Sequence, residues 1–174
     1  MIKSITLAGA ATLLALSGVT AAKAASVNDA QIAHIAYTAG QIDIAAGKQA
    51  LAKSKNKAVR AFAHEMVRDH AAVNVQALAL VKKLHVTPQA NDTSAALSKG
   101  AAAEIRTLSR LHGIAFDRAY VRNEVAYHKT VNGALKDTLI PNAQNGELKS
   151  LLQTGLTLFS EHQTHAEHLA SRMR

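Results

Sequence analysis

The chain has 174 residues, nine histidines, no cysteine and a formal charge of +8. Without cysteine, thiol catalysis, covalent haem attachment and thiolate zinc sites are excluded, and no disulfide can brace the fold. With no tryptophan and only six Phe and Tyr residues to stack on bases, the positive charge does not read as a nucleic-acid interface.

The first segment, MIKSITLAGAATLLALSGVTAAKA, has a cationic start at Lys3, an apolar run from Ile5 to Val19 and a small-x-small ending at Ala22 to Ala24. This is the pattern of a secretory signal peptide over residues 1–24, and the run is shorter than a membrane-spanning helix requires. Cleavage after Ala24 removes Lys3 and Lys23 and leaves a chain of +6, predicted to be a single domain over residues 25–174 in the periplasm, free or associated with the outer membrane. Its scattered basic residues make anionic envelope polymers a candidate partner, without a Lys/Arg block to mark a dedicated site.

Beyond the leader, only Pro88 and Pro141 interrupt the chain, each in a short polar stretch between long apolar-periodic segments. A first helix is predicted over Asp29 to Lys53, with Ile32, Ile35, Ala36, Ala39, Ile42, Ala46 and Ala50 on one face. Asn56 then caps a second helix reaching about Leu84, whose seam reads Val59, Phe62, Ala63, Met66, His70, Val73, Ala77, Leu80 and Leu84. Residues Ala95 to Leu111 form a shorter connecting helix, and Gly113 opens a third long helix to about Leu139 through Val121, Val125, His128, Asn132 and Leu135. Asn145 caps a fourth, carrying Leu148, Leu152, Gly155, Phe159, His162, Ala166, Leu169 and Met173. Four amphipathic helices and no strand-length alternation make an all-α, antiparallel four-helix bundle with an extra connecting helix.

The chemistry rests on the histidines. His34, His64, His85 and His112 fall on polar flanks, loops or helix ends. In FSEHQTHAEHLASRMR, successive steps of three residues rotate His165 and His168 off the seam that holds His162, so the three rings cannot face one interior ion. His70, His128 and His162 are each mid-helix on an apolar seam and are predicted buried at one level, with Asp43, Tyr120 and Glu124 completing a polar layer. Two readings follow. The layer is a hydrogen-bonded structural device in which Asp69, Tyr120, Glu124 or backbone carbonyls satisfy the rings, or it is a transition-metal site built from His70, His128, His162, Asp43 and Glu124. No Glu-x-x-His occurs, so the carboxylate-bridged di-iron pattern is not met, and no phosphate loop, nucleophile elbow or His-Glu-x-x-His is present.

Three stretches, AFAHEMVRDH (61–70), GIAFDRAYVRNEVAYH (113–128) and EHQTHAEHL (161–169), resemble a family of ferritin-like domains of unknown function in exported bacterial proteins labelled "predicted outer membrane protein". The shared features are Asp69–His70, the run Phe116 to Val121 containing Asp117 and Tyr120, His128 and His162. The resemblance implies a four-helix bundle outside the cytoplasm, with no established reaction and no iron storage; the chain departs from the family in having Asp43 where members carry Glu. The leading expectation is a non-enzymatic envelope binding or stress-related bundle. The rivals are a metal-binding or metal-oxidising bundle and a binder of anionic surfaces.

Overall fold

The computed structural model describes residues 27–173. The predicted signal peptide therefore lies outside the described residues. Seven helical elements follow one another among the described residues: α1 (Asp29–Lys53), α2 (Lys57–Lys83), α3 (Asp92–Ser109), α4 (Gly113–Ala134), a π-helical turn (Leu135–Leu139) leading into the single turn α5 (Ile140–Asn142), and α6 (Gly146–Ser171). Among the described residues there is no strand, and no helix is long and apolar enough to cross a membrane.

Helices α1, α2, α3 and α6 start where a short polar side chain takes up their free amides. Asn28 and Asn91 close capping boxes with Gln31 and Ser94, while Asn56 and Asn145 each accept from two amides of the first turn. The cap at Asn91 places the start of α3 three residues before the predicted Ala95. At the far end of α1, the Arg60 guanidinium donates to the carbonyls of Leu51 and Ser54, satisfying acceptors that the helix leaves open.

Short connections make α1 antiparallel to α2 and α4 antiparallel to α6. Between these hairpins α3 lies along α1 and runs parallel to it: Asn91 donates to the Gln31 carbonyl near its start, and Gln49 and Lys53 donate to the Ile105 and Ser109 carbonyls near its end. The connecting helix thus carries the chain back along the bundle, so α2 and α4 run in the same direction and α1 and α6 in the other. All-antiparallel packing holds between neighbours around the ring and not across its diagonals. His70 and His128 still come level, because each sits near the middle of its helix.

Pro141 is the one departure from the predicted punctuation. Pro88 lies in a loop, but Pro141 lies in helical backbone within α5. A proline there cannot donate to the carbonyl four residues back and its ring crowds that carbonyl. The preceding turn widens instead, with the Ile140 amide donating to the Leu135 carbonyl five residues back, and the helix continues.

The interior divides into two apolar clusters. One gathers Ala50, Val59, Phe62, Ala63, Met66, Phe116, Tyr120, Val121 and Ala166, most of them with no exposed surface. The other gathers Ile32, Ile35, Leu135, Leu139, Leu148, Leu152 and Phe159. At Gly47 a Cβ would come within 2.9 Å of Val67 and 3.1 Å of the Ala63 carbonyl, so the missing side chain sets the close approach of α1 to α2 at the first cluster. The polar layer lies between the two clusters.

Candidate functional site: a buried histidine and carboxylate layer

Each long helix contributes to the layer. Asp43 comes from α1, His70 from α2, Glu124 and His128 from α4 and His162 from α6, and all five are buried. Seam spacing explains the inward direction, since each stands three or four residues from apolar neighbours that face the core.

The three imidazoles form a triangle, with ring centroids 5.6 Å apart for His70 and His128, 5.3 Å for His70 and His162, and 5.6 Å for His128 and His162. One ring nitrogen from each can be chosen so that all lie within 4.8 Å of one another. The same holds for Asp43, Glu124 and His128, and for Glu65, Asp69 and His162. These three groups overlap through His128 and His162, giving a row that starts at the partly exposed Glu65 and Asp69 and ends at the fully enclosed Glu124.

Hydrogen bonds fix two of the three tautomers. His162 Nε2 lies 3.1 Å from Asp69 Oδ2, and because an ionised carboxylate can only accept, that nitrogen carries the proton. The Arg68 fork holds Asp69 at 2.6 and 2.9 Å, and its hydrogen bond is the main cause of a lowered Asp69 pKa, which keeps the acceptor ionised. His128 Nδ1 lies 3.0 Å from the Glu124 carbonyl oxygen and must donate to it, with Glu124 Oε2 a further 3.5 Å contact. Consequently His162 Nδ1 and His128 Nε2 are deprotonated, buried and without a partner among the described residues. His70 has no hydrogen bond on either nitrogen; Nε2 stands 3.4 Å from Asp43 Oδ2, and the ring stacks on Phe159 at 4.4 Å with 11° between planes.

Burial governs the charge states. Desolvation, reinforced by the neighbouring rings of His128 and His162, pushes the His70 pKa down to about 2, and desolvation lowers His128 to about 4 and His162 below its ordinary value. Desolvation also raises Glu124 to about 8 and lifts Asp43 well above the carboxylate range, where the nearby Glu124 adds to the effect. The layer therefore holds neutral imidazoles with free lone pairs beside carboxyl groups that retain protons. Both Glu124 oxygens and the Tyr120 hydroxyl lack hydrogen-bond partners, and burial with the Glu124 and Asp43 carboxyls beside it keeps the Tyr120 phenol protonated. Such a concentration of unpartnered buried polar atoms in one layer is unusual.

The structural reading of the layer predicted that Asp69, Tyr120, Glu124 or backbone carbonyls would satisfy the rings. Asp69 and the Glu124 carbonyl do so for one nitrogen each, while Tyr120 interacts with the Glu124 carboxyl rather than with a ring and His70 remains unsatisfied. Asp117 is buried with one oxygen unpartnered, but it joins none of the three groups. Off the seam, as expected, His165 donates to Glu65 at 2.8 Å on the surface. Glu65 itself escaped the sequence reading, although its place four residues before Asp69 on one helix face was a usable signal. Asn74, buried one turn after His70, also went unnoticed; an amide inside an alanine-rich face reads as surface until the neighbouring helix is in place.

The fold and site define an all-helical bundle with a histidine and carboxylate layer across its middle. Residues 15–169 match the family described as "Domain of unknown function (DUF4142)", and the chain belongs to that family. Neither a curated protein nor a solved structure matches it significantly.

Proposed function

We propose that this protein is an exported, ferritin-like metal-binding bundle whose ion is held by His70, His128 and His162, with Asp43 or Glu124 as the carboxylate donor. One observation carries the reading: hydrogen bonds made on one nitrogen each of His128 and His162 leave the other nitrogen of each ring unprotonated, buried and without a hydrogen-bond donor. A carboxylate or carbonyl behind each ligating imidazole is the usual support for a metal-bound histidine. A purely structural layer has no use for four unpartnered ring nitrogens, three of them unprotonated, whose desolvation is uncompensated. Imidazole and carboxylate without thiolate suit Zn, Cu, Fe or Mn rather than a hard, oxygen-only cation. The periplasmic address rests on the Lys3 to Ala24 pattern.

The test uses protein recovered from the periplasm without a histidine tag. Metal analysis should find a stoichiometric ion, and melting should shift upward on adding Zn, Cu, Mn or Fe to stripped protein. His162→Leu should abolish both. A folded wild type that takes up no ion and shows no shift makes the layer structural and ends the proposal.

A further inference from the structure

Beside the histidine layer, on the side away from the tightly packed cluster, lies a cavity of about 310 Å³. Its walls come from α1, α2, α3, α4, the π-helical turn and α6, and among larger apolar side chains they carry small ones where a bundle seam ordinarily places large ones: Ala36, Ala39, Ala77, Ala134 and Gly155. Buried Phe159 and Asn74 line it, and Phe159 is the ring stacked on His70. Exposed Thr93, Thr130 and Thr138 also line it, so the space extends from the surface to the histidine layer. No charged residue takes part in the lining.

We propose that this cavity is a binding site for an uncharged aliphatic chain, entering past the threonine hydroxyls and ending against Phe159. Volume is the first argument, because close-packed interiors do not keep space of this size empty without loss of stability, and apolar cavities exclude water and take apolar guests. The second is chemical complementarity: hydrocarbon walls, hydroxyls near solvent and no charge match an alkyl chain with a neutral polar end, such as a long-chain alcohol or an ester, and reject a charged ligand at depth. The third is the π-helical turn Leu135–Leu139, which contributes Leu135, Thr138 and Leu139 to the wall. Widened turns of this kind are rare and gather at functional sites. The site is independent of any ion in the histidine layer.

Binding is read on stripped exported protein with N-phenyl-1-naphthylamine, a neutral apolar fluorophore, displaced by a series of linear alcohols. Saturable one-to-one binding is expected, with displacement strengthening up to an optimum chain length. Ala77→Leu and Ala36→Leu fill the cavity from two different helices, and each should weaken binding at least about tenfold with a melting temperature equal to or above that of the wild type. His162→Leu should bind the probe like the wild type, which separates this site from the metal reading. Unsaturable binding, binding undiminished in both filled variants, or binding that appears only after the chain's own N-terminal segment is removed or a dimer dissociated would each overturn the proposal. Should one variant fail to fold, the other decides.

Discussion

The two ends of the bundle share helices but not packing. At the end containing Phe62 and Tyr120, large rings sit edge-on at 6.3 Å, α1 and α2 close on each other at Gly47, and the buried side chains have almost no exposed surface. At the other end, Leu135, Leu139, Leu148 and Leu152 stand around open space. Both are apolar, so hydrophobicity alone does not separate them. What differs is where the small residues fall: at Gly47 and Ala63 a small residue admits a neighbouring helix, whereas around Ala36, Ala77 and Gly155 nothing moves in. One end supplies rigidity to the histidine layer, and the other gives it access.

The sharpest way to break this comparison is truncation. Phe62→Ala should cost about 3–5 kcal/mol, as expected for a ring removed from a closed core. Leu152→Ala, at the edge of the existing cavity, should fall at the low end of its class, about 2 kcal/mol. Urea unfolding of the two variants checks this, and equal costs would mean that the ends are packed alike. Glycine substitution probes the same contrast more gently. Gly47→Ala pushes a methyl against the Ala63 carbonyl and should destabilise by about 1–3 kcal/mol. Gly155→Ala meets only the Phe159 ring, nearest at 3.4 Å, and should be neutral or stabilise by up to about 1 kcal/mol through helix propensity.

The layer between the ends has its own signature. Folded-state values near 2 for His70 and 4 for His128, against an ordinary 6.5, mean that the unfolded chain binds more protons below 6.5, so their contribution is intact above that value and lost as pH falls towards 4 and 2. Glu124 works the other way: raised from 4.5 to about 8, it favours the folded state below 4.5, and that contribution is lost as pH rises through 8. The melting temperature of metal-free protein should therefore peak at about pH 6 and decline on both sides. A profile that rises steadily from pH 5 to 9 would contradict the burial of Glu124. A further effect concerns support rather than ligation: Asp69→Asn removes the anion that sets the His162 tautomer and should weaken metal affinity about 10–100-fold while leaving the fold intact. Titration with a competing chelator measures it.

Much of this was legible before any coordinates. The bounds of α1 and the caps at Asn56 and Asn145 follow from residue types alone, because an asparagine before a periodic run has one good use. Seam spacing brought His70, His128 and His162 together for a similar reason: all three are mid-helix, and any tight four-helix packing levels the midpoints. The direction of α2 relative to α4 was not legible, since it depends on α3 running the length of α1 rather than merely bridging two ends. Neither was the π-helical turn before Pro141, which compares two ways of relieving one clash, nor the cavity, because an alanine that admits a helix and one that borders a void look identical in sequence. The tautomers also lay out of reach, being set by Asp69 across the bundle and by a backbone carbonyl.

The distribution of the layer, with Asp43 on the first helix and His162 on the last, has a consequence in time. A chain emerging from its N-terminus can form the α1–α2 hairpin early and bring Asp43 and His70 together with neither His128 nor His162 yet present. The layer is completed only when α6 docks, after everything else has been delivered. Assembly of the site thus reports completion of the chain: a product truncated before residue 162 can build much of the scaffold but lacks the final ring.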